Sequence, residues 1–262
     1  MKIRTSNLNG FNHVLSNRSF NERIKLIFAL YQDSLPTVWA LQEVPTGGKS
    51  QNCLKQLYSL ALQNAYTMIM PEKTTWKVSE HPKSIQSVLL LKDAKNIEIL
   101  KLDDSIELHS RYNYVKAELE GVEYYILNIH APQTVVFSGH TENDGYVRSR
   151  KYLSKQFYAV LKEEISKLIA AGKRIVLLGD FNKDLNQPEV KELIDLGLED
   201  IALVNDNTYF CSENNMVDSV DHILVSQNIA KEVSSVKCYV DTNFVDVQKL
   251  SDHATVDLDI AI

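Results

Sequence analysis

Four aliphatic residues, Ile175 to Leu178, run directly into Gly179-Asp180-Phe181-Asn182. The run is too short for a helix and rich in β-branched and aliphatic side chains, so it predicts a buried strand that stops at Gly179. Asp180 and Asn182 lie two residues apart, a spacing that points both side chains the same way along extended or gently turning chain. Alone, Asp-x-Asn after a strand is equally an Asx turn bonded to its own backbone. The arrangement, however, recurs at least six times. Asn7 and Asn9 follow the first strand, Glu43 closes VWALQEV, and Asn128 and His130 close YYILNIHAP. Asp221 and His222 open DHILVS, and Asp252 and His253 precede the last strand. For these polar groups to act together, the fold has to bring the strand ends together in space.

The intervening segments alternate in type. Phe20 to Gln32 carries Ile24, Ile27, Phe28 and Tyr31 at helical spacing. Val38 to Leu41 reads as a strand ending at Gln42-Glu43, Gln51 to Asn64 as an amphipathic helix, and Tyr66 to Met70 and Ser87 to Leu91 as strands. Tyr112 to Leu119 and Val122 to Ile129 form a hairpin turning at Glu120-Gly121. Asp144 to Ala170 is a long helix closed by Ala171-Gly172, and Pro188 to Leu196 is a short one. Asp221 to Ser226 and Ala254 to Ile260 are late strands. Helices and strands mix without a strict βαβ rhythm, which predicts mixed sheets with helices outside them. No Pro-, Gly- or Ser-rich linker, block of like charge or repeat interrupts the 262 residues, so a single domain over 1–262 is expected.

A net charge of -6 argues against a globally basic nucleic-acid binder, but leaves room for a local patch or bridging cations. No segment has the length and apolarity to span a bilayer, and Met1 to Thr5 lacks the apolar centre of a secretory signal. Cys53, Cys211 and Cys238 are odd in number and widely spaced, which suits reduced thiols in a cytoplasmic protein.

Acids, amides and histidines at strand ends, with no serine or cysteine nucleophile in a recognisable elbow, suggest attack by a metal-assisted water. The ordered set N-x-N-G, LQEV, I-H-A-P, GDFN, the DH element of DHILVS and a terminal SDH resembles the endonuclease/exonuclease/phosphatase superfamily over residues 5 to 256. The resemblance implies an α/β fold in which two mixed sheets pack as a sandwich with helices on both outer faces, as in deoxyribonuclease I. It implies a hydrolase of phosphoester bonds, Mg²⁺ or Mn²⁺ as cofactor, and a nuclease acting on nucleic acid. A phosphatase or phosphodiesterase on a small phosphoester, phosphoinositide or sphingomyelin-type substrate is the alternative, and a non-catalytic binding protein a lesser one.

By the same resemblance Glu43, Asn7 and Asp252 are the expected metal ligands. Asp180 positions or deprotonates the attacking water, and His130 and His253 flank the scissile phosphate. Asp221 orients one of these imidazoles, which the sequence does not specify. Asn182, Asn9 and Arg111 are expected to contact phosphate. His130 stands where abasic-site endonucleases usually carry tyrosine, which leans the chain away from that branch. His222 reads as packed rather than catalytic, and Glu80 is a loose further acid. The chain departs from the family pattern at Ser6, at Asn9 and in SDHATV, which affects packing more than chemistry.

Substrate choice is expected in Gln133 to Gly145, directly after His130. Arg148, Arg150, Lys151 and Lys155 follow on the long helix, either as a modest basic face toward phosphate or as a solvated face balanced by Glu163 and Glu164.

Overall fold

Along Val38-Trp39-Ala40-Leu41 successive side chains enter two different cores, Val38 and Ala40 one, Trp39 and Leu41 the other. A strand buried on both faces in this way sits in the middle of a layered structure. The computed structural model describes residues 1–9, 18–46, 51–71, 85–103, 109–134, 145–201, 207–211, 216–246 and 248–261. Glu80, His13, His81, His140 and most of the 133–145 segment lie outside them.

With strands numbered along the chain, the first six-stranded sheet runs β13 (Ser235–Asp241), β14 (Thr255–Ala261), β1 (Lys2–Asn7), β2 (Val38–Pro45), β4 (Ile85–Lys92), β3 (Tyr66–Ile69). The second runs β5 (Lys95–Leu100), β6 (Tyr112–Leu119), β7 (Val122–His130), β8 (Ile175–Asp180), β12 (Asp221–Ser226), β9 (Leu198–Glu199). A separate hairpin joins β10 (Tyr209–Cys211) to β11 (Met216–Asp218). Each large sheet is antiparallel except for one central parallel pair, β1 with β2 and β7 with β8. A parallel pair needs a crossover, and helices α1 (Phe20–Tyr31) and α3 (Gly145–Ala170) lie within these two connections.

The layers follow from the three apolar clusters. Ile3, Val38, Leu89 and Val256 of the first sheet face Val115, Ile126, Val176 and Ile223 of the second. Ile24, Ile27 and Phe28 of α1, with Cys53, Leu57 and Ala61 of α2 (Gln51–Gln63), cover the other face of the first sheet. Phe157, Leu161 and Ile165 of α3, with Val190 and Leu193 of α4 (Pro188–Asp195), cover the second. Each fully buried aliphatic side chain contributes about 1.5–3 kcal/mol of transfer free energy. The result is the four-layer sandwich with mixed sheets.

Local signals agree with this plan. Ser19 and Glu22 form a capping box at the start of α1, their side chains satisfying each other's backbone N–H. The end of α3 is a Schellman motif, Gly172 N–H donating to Ile169 O and Lys173 N–H to Leu168 O, with Gly172 at φ +64°. The edge strands β5 and β13 are absent from the sequence-based expectations. Cys53 is fully buried, and burial pushes its thiol up to about 12. Native protein given a short pulse of iodoacetamide is expected to leave Cys53 unlabelled by peptide mass mapping, with labelling appearing only in denaturant.

Candidate active site

Pairing of β7, β8 and β12 aligns the chemistry. His130 stands opposite Asp180 across the parallel pair, and Asp221 opposite Asp180 on the other side. Asp180 therefore sits between two neighbours, 1% exposed. Asn7 at the end of β1 donates its Nδ2 to Asp180 Oδ2 at 2.8 Å, bridging the two sheets. The backbone N–H of Asn182 donates to Asp180 Oδ1 at 2.7 Å, the Asx turn that the Asp-x-Asn spacing allows. Both carboxylate oxygens are thus oriented.

Asp221 Oδ2 lies 2.9 Å from Nδ1 of His253, which settles the pairing that the sequence left open. Thr208 Oγ1 accepts from the backbone N–H of both Val220 and Asp221, fixing the carboxylate's strand. The ring of Tyr209 lies against His253 with centroids 4.8 Å apart. Thr208 and Tyr209 carry no sequence signal that marks them.

Glu43 reaches the same place by a different device. The ladder between β2 and β4 shifts register between Leu41 and Val44, and Glu43 takes φ +54° in that bulge. Its Oε1 comes 3.4 Å from His130 Nε2, which is itself 3.7 Å from Asp180 Oδ2. Asn9 and Asn182 also hold left-handed backbone, at φ +45° and +51°. Backbone strain of this kind concentrates at functional sites.

Beneath these residues an amide chain crosses the sandwich. Gln42 Nε2 donates to Asn128 Oδ1 at 2.7 Å, and Asn128 Nδ2 donates to Asn113 Oδ1 at 2.9 Å and to Val88 O at 3.0 Å. Gln42 precedes Glu43, and Asn128 lies two residues before His130. The chain therefore locks the strand ends that carry both.

Charge is far from balanced. Burial raises Asp180 to about 7, reinforced by the Asp221 carboxylate and partly opposed by His253. Burial disfavours the His253 imidazolium, but Asp221 outweighs it through its charge and hydrogen bond, and the pKa rises to about 10. Burial, together with the charges of Arg111, His253 and Arg150, pushes His130 well below its usual value. His130 is neutral, so its approaches to Glu43 and Asp180 are polar contacts rather than ion pairs.

Asp221 Oδ1 and Asp252 Oδ1 are buried without a hydrogen-bond partner. Glu43, Asp180, Asp221 and Asp252 thus bring four carboxyl groups to a site whose nearby cations are His253, Arg111 and Arg150, and two of the carboxyl oxygens remain unsatisfied. Hard oxygen donors with excess negative charge fit a divalent cation. Single atoms of Asp180, Asp221 and His253 also lie within 4.8 Å of one another. His253 Nδ1 is already committed to Asp221, however, so this trio reads as a hydrogen-bonded pair beside a carboxylate.

Asn9 enters through its backbone, donating to Asn7 Oδ1 at 2.8 Å. Asn182 Nδ2 donates to Ala131 O at 2.8 Å, and Arg111 Nη1 to the carbonyls of His130 and Ala131 at 3.1 and 3.2 Å. Arg111 is buried, and these bonds of its Nη1 hold the turn after β7 beside His130. His222 donates from Nε2 to Lys183 O at 2.9 Å and packs edge-on against Phe181, a structural role. Tyr158 of α3 donates to Phe181 O at 2.6 Å, pinning the helix to the segment between Asp180 and Asn182.

Residues 5–253 match the model of the Endonuclease/Exonuclease/phosphatase family. The chain belongs to that family. It is a phosphoester hydrolase of the family, and the sandwich is the family's fold. Similar solved structures include a 3′ phosphatase, NExo, from Neisseria bound to product DNA hairpin, at 21% identity and TM-score 0.69 with 100% of both chains covered. An AP endonuclease from Archaeoglobus fulgidus is 17% identical at TM-score 0.71, again over 100% of both chains. Sphingomyelinase C from Streptomyces griseocarneus is 16% identical at TM-score 0.63, covering 100% of this chain and 99% of its own. At these identities the likeness is one of fold. No curated protein matches the chain. Among the described residues, no helix of this family member is long and apolar enough to cross a membrane.

Proposed function

We propose that this chain is a divalent-metal-dependent phosphodiesterase acting on nucleic acid, as a DNA endo- or exonuclease in the cytoplasm. The observation that carries the reading is the Asp221–His253 pair at 2.9 Å, set beside Asp180, with His130 3.7 Å from Asp180 and 3.4 Å from Glu43.

Asp180 accepts the proton of the attacking water, its oxygens aimed by Asn7 and the Asn182 N–H. His253, kept protonated by Asp221, gives a proton to the departing oxygen. Neutral His130 and the amides of Asn182 and Asn9 face the equatorial phosphate oxygens, where charge grows in the transition state. Glu43, Asn7 and Asp252 would hold Mg²⁺ or Mn²⁺, which supplies Lewis-acid stabilisation of that charge. Arg111 acts behind His130, as a positioning residue.

The two shifted groups set a pH window. Below about 7 Asp180 carries a proton and cannot take another; above about 10 His253 has lost the one it donates. At limiting metal, kcat/KM is expected to rise with pH through about 7, hold a plateau, and fall toward about 10. A profile flat from pH 5 to 8 would remove Asp180 as the base.

Support for nucleic acid comes from the DNA-bound 3′ phosphatase and the AP endonuclease among similar structures. His130 keeps the proposal away from abasic-site repair. The net charge of -6 and the similar sphingomyelinase favour the second reading, a small or lipid phosphoester. A panel of plasmid, single-stranded DNA, RNA, inositol phosphates, sphingomyelin and bis(p-nitrophenyl) phosphate, each with and without Mg²⁺ or Mn²⁺, decides between them. Nucleic-acid cleavage that needs metal supports the first reading, turnover of only a small or lipid substrate the second. Inertness on all of them, with no metal-induced thermal shift, would leave a binding protein.

A further inference from the structure

Asp221 and His253 come from different sheets. Asp221 opens β12 of the second sheet, while His253 stands two residues before β14 of the first. The ladders of β12 run to β8 and β9, and those of β14 to β13 and β1, so no strand pairing sets the distance between the two residues. Their hydrogen bond at 2.9 Å has to be held from elsewhere, because such a bond weakens steeply once donor and acceptor shift or tilt.

Thr208 meets both sides. It is fully buried, and its hydroxyl, carbonyl and N–H are all engaged around the pair. Oγ1 accepts from the backbone N–H of Val220 and of Asp221, each at 3.0 Å, with the two lone pairs of the hydroxyl. The carbonyl accepts from Ala254 N–H at 2.7 Å, directly after His253. The N–H donates to Asp218 O at 2.9 Å, which anchors Thr208 on the hairpin of β10 and β11.

The next two residues extend the clamp. Tyr209 pairs with His253 in an antiparallel bridge, their rings 4.8 Å apart, and Phe210 N–H donates to Asp252 O at 2.8 Å. Ser251 Oγ accepts from His253 N–H at 3.1 Å, so the chain on both sides of the imidazole is tied down. Any residue at position 208 could supply the N–H and the carbonyl. Only the hydroxyl reaches Asp221.

We infer that Thr208 is a positioning residue for proton transfer to the departing oxygen: its hydroxyl fixes Asp221 at the start of β12 while its carbonyl fixes the chain at His253, so that the two side chains meet. The inference rests on the reading of His253 as the acid for the leaving group and deepens it, because it names the residue through which that acid is aimed.

The test is T208V, which keeps the side-chain shape and removes the acceptor, beside T208S, which keeps the hydroxyl. Circular dichroism and Tm report the fold. kcat and KM are measured on the alkyl phosphoester that the panel above shows to be turned over, an oligonucleotide in the first instance, whose alkoxide needs a proton to leave. They are measured also on bis(p-nitrophenyl) phosphate, whose p-nitrophenolate leaves without one. For T208V, kcat on the alkyl ester should fall by about tenfold to a hundredfold at little-changed KM, and on the aryl ester by no more than about threefold. T208S should recover most of the loss. An equal loss on both esters, or no loss on either, would overturn the inference, since a merely structural role lowers both together. T208C, whose sulfur is a weak acceptor, takes the place of T208V if that variant does not fold, and should show the same selective loss on a smaller scale. H253Q separates this inference from the reading beneath it: its loss should also be greater on the alkyl ester. An H253Q loss equal on both esters would overturn the acid reading and the inference with it, whereas a selective H253Q beside an unselective T208V would overturn the inference alone.

Discussion

Replacing Asp180 by asparagine is expected to cut kcat/KM on any phosphodiester by roughly a thousandfold or more while leaving the fold in place. The substitution keeps the shape that Asn7 and the Asn182 N–H engage but removes the proton acceptor and one of the site's two most deeply buried carboxylates. His253→Gln should cost as much by a different route, leaving Asp221 buried with no cation of the protein's own beside it. The double variant D180N/H253Q should be little worse than either alone, because residues that act as one unit lose their joint effect at the first deletion. Single-turnover rates at saturating metal, with far-UV circular dichroism as the control for folding, provide the measurement. A variant D180N with more than about a tenth of wild-type kcat would remove Asp180 from the chemistry.

The second large effect concerns stability. Gly179 sits at φ +135°, and a Cβ built there would lie 2.0 Å from the carbonyl oxygen of Ile129. That oxygen belongs to the neighbouring strand of the parallel pair, so nothing flexible can give way. Gly179→Ala combines a backbone conformation that side chains rarely adopt with a steric overlap, and should destabilise by about 3–5 kcal/mol. Urea melts report the loss as a lower midpoint at unchanged slope. Because Gly179 immediately precedes Asp180, activity should fall even in the fraction that remains folded. Gly121→Ala is the comparison: its turn has φ +83° but open space around it, so its cost should be near 1 kcal/mol.

Much of this architecture is legible in the sequence because burial writes a strong local signal. Strands such as Ile175–Asp180 are buried at every position and open on an unbroken aliphatic run, Ile175 to Leu178, whose abrupt end marks where the polar chemistry begins. Edge strands write a weak one. Lys95–Leu100 and Ser235–Asp241 are largely exposed, each paired on one side only, so their mixed composition gives no reason to expect them. Glu43 was expected at the end of its strand. The strand instead continues through it to Pro45, and the acid is turned by a bulge that no composition rule reveals.

Partnerships between distant residues were the least legible part. The choice of His253 over His130 by Asp221 depends on how the segment before β14 returns toward Thr208, where Ala254 N–H donates to Thr208 O at 2.7 Å. Arg111, expected on phosphate, also carries a role that its position near a strand start does not reveal. Its Nη1 donates to two backbone carbonyls of the turn after β7.

The amide chain from Gln42 through Asn128 to Asn113 joins the halves that supply Asn7 and Glu43 on one side, and His130, Asp180 and Asp221 on the other. Neither sheet owns the reaction. The catalytic centre is a property of the seam, so sliding one sheet by a fraction of an ångström along the other would silence it before any strand melts. During gentle heating, turnover should therefore vanish ahead of secondary structure, and no fragment carrying one sheet should retain it. The same seam leaves the connecting loops free to change substrate over evolutionary time, since they can be rebuilt without disturbing the joint at which the bond is broken.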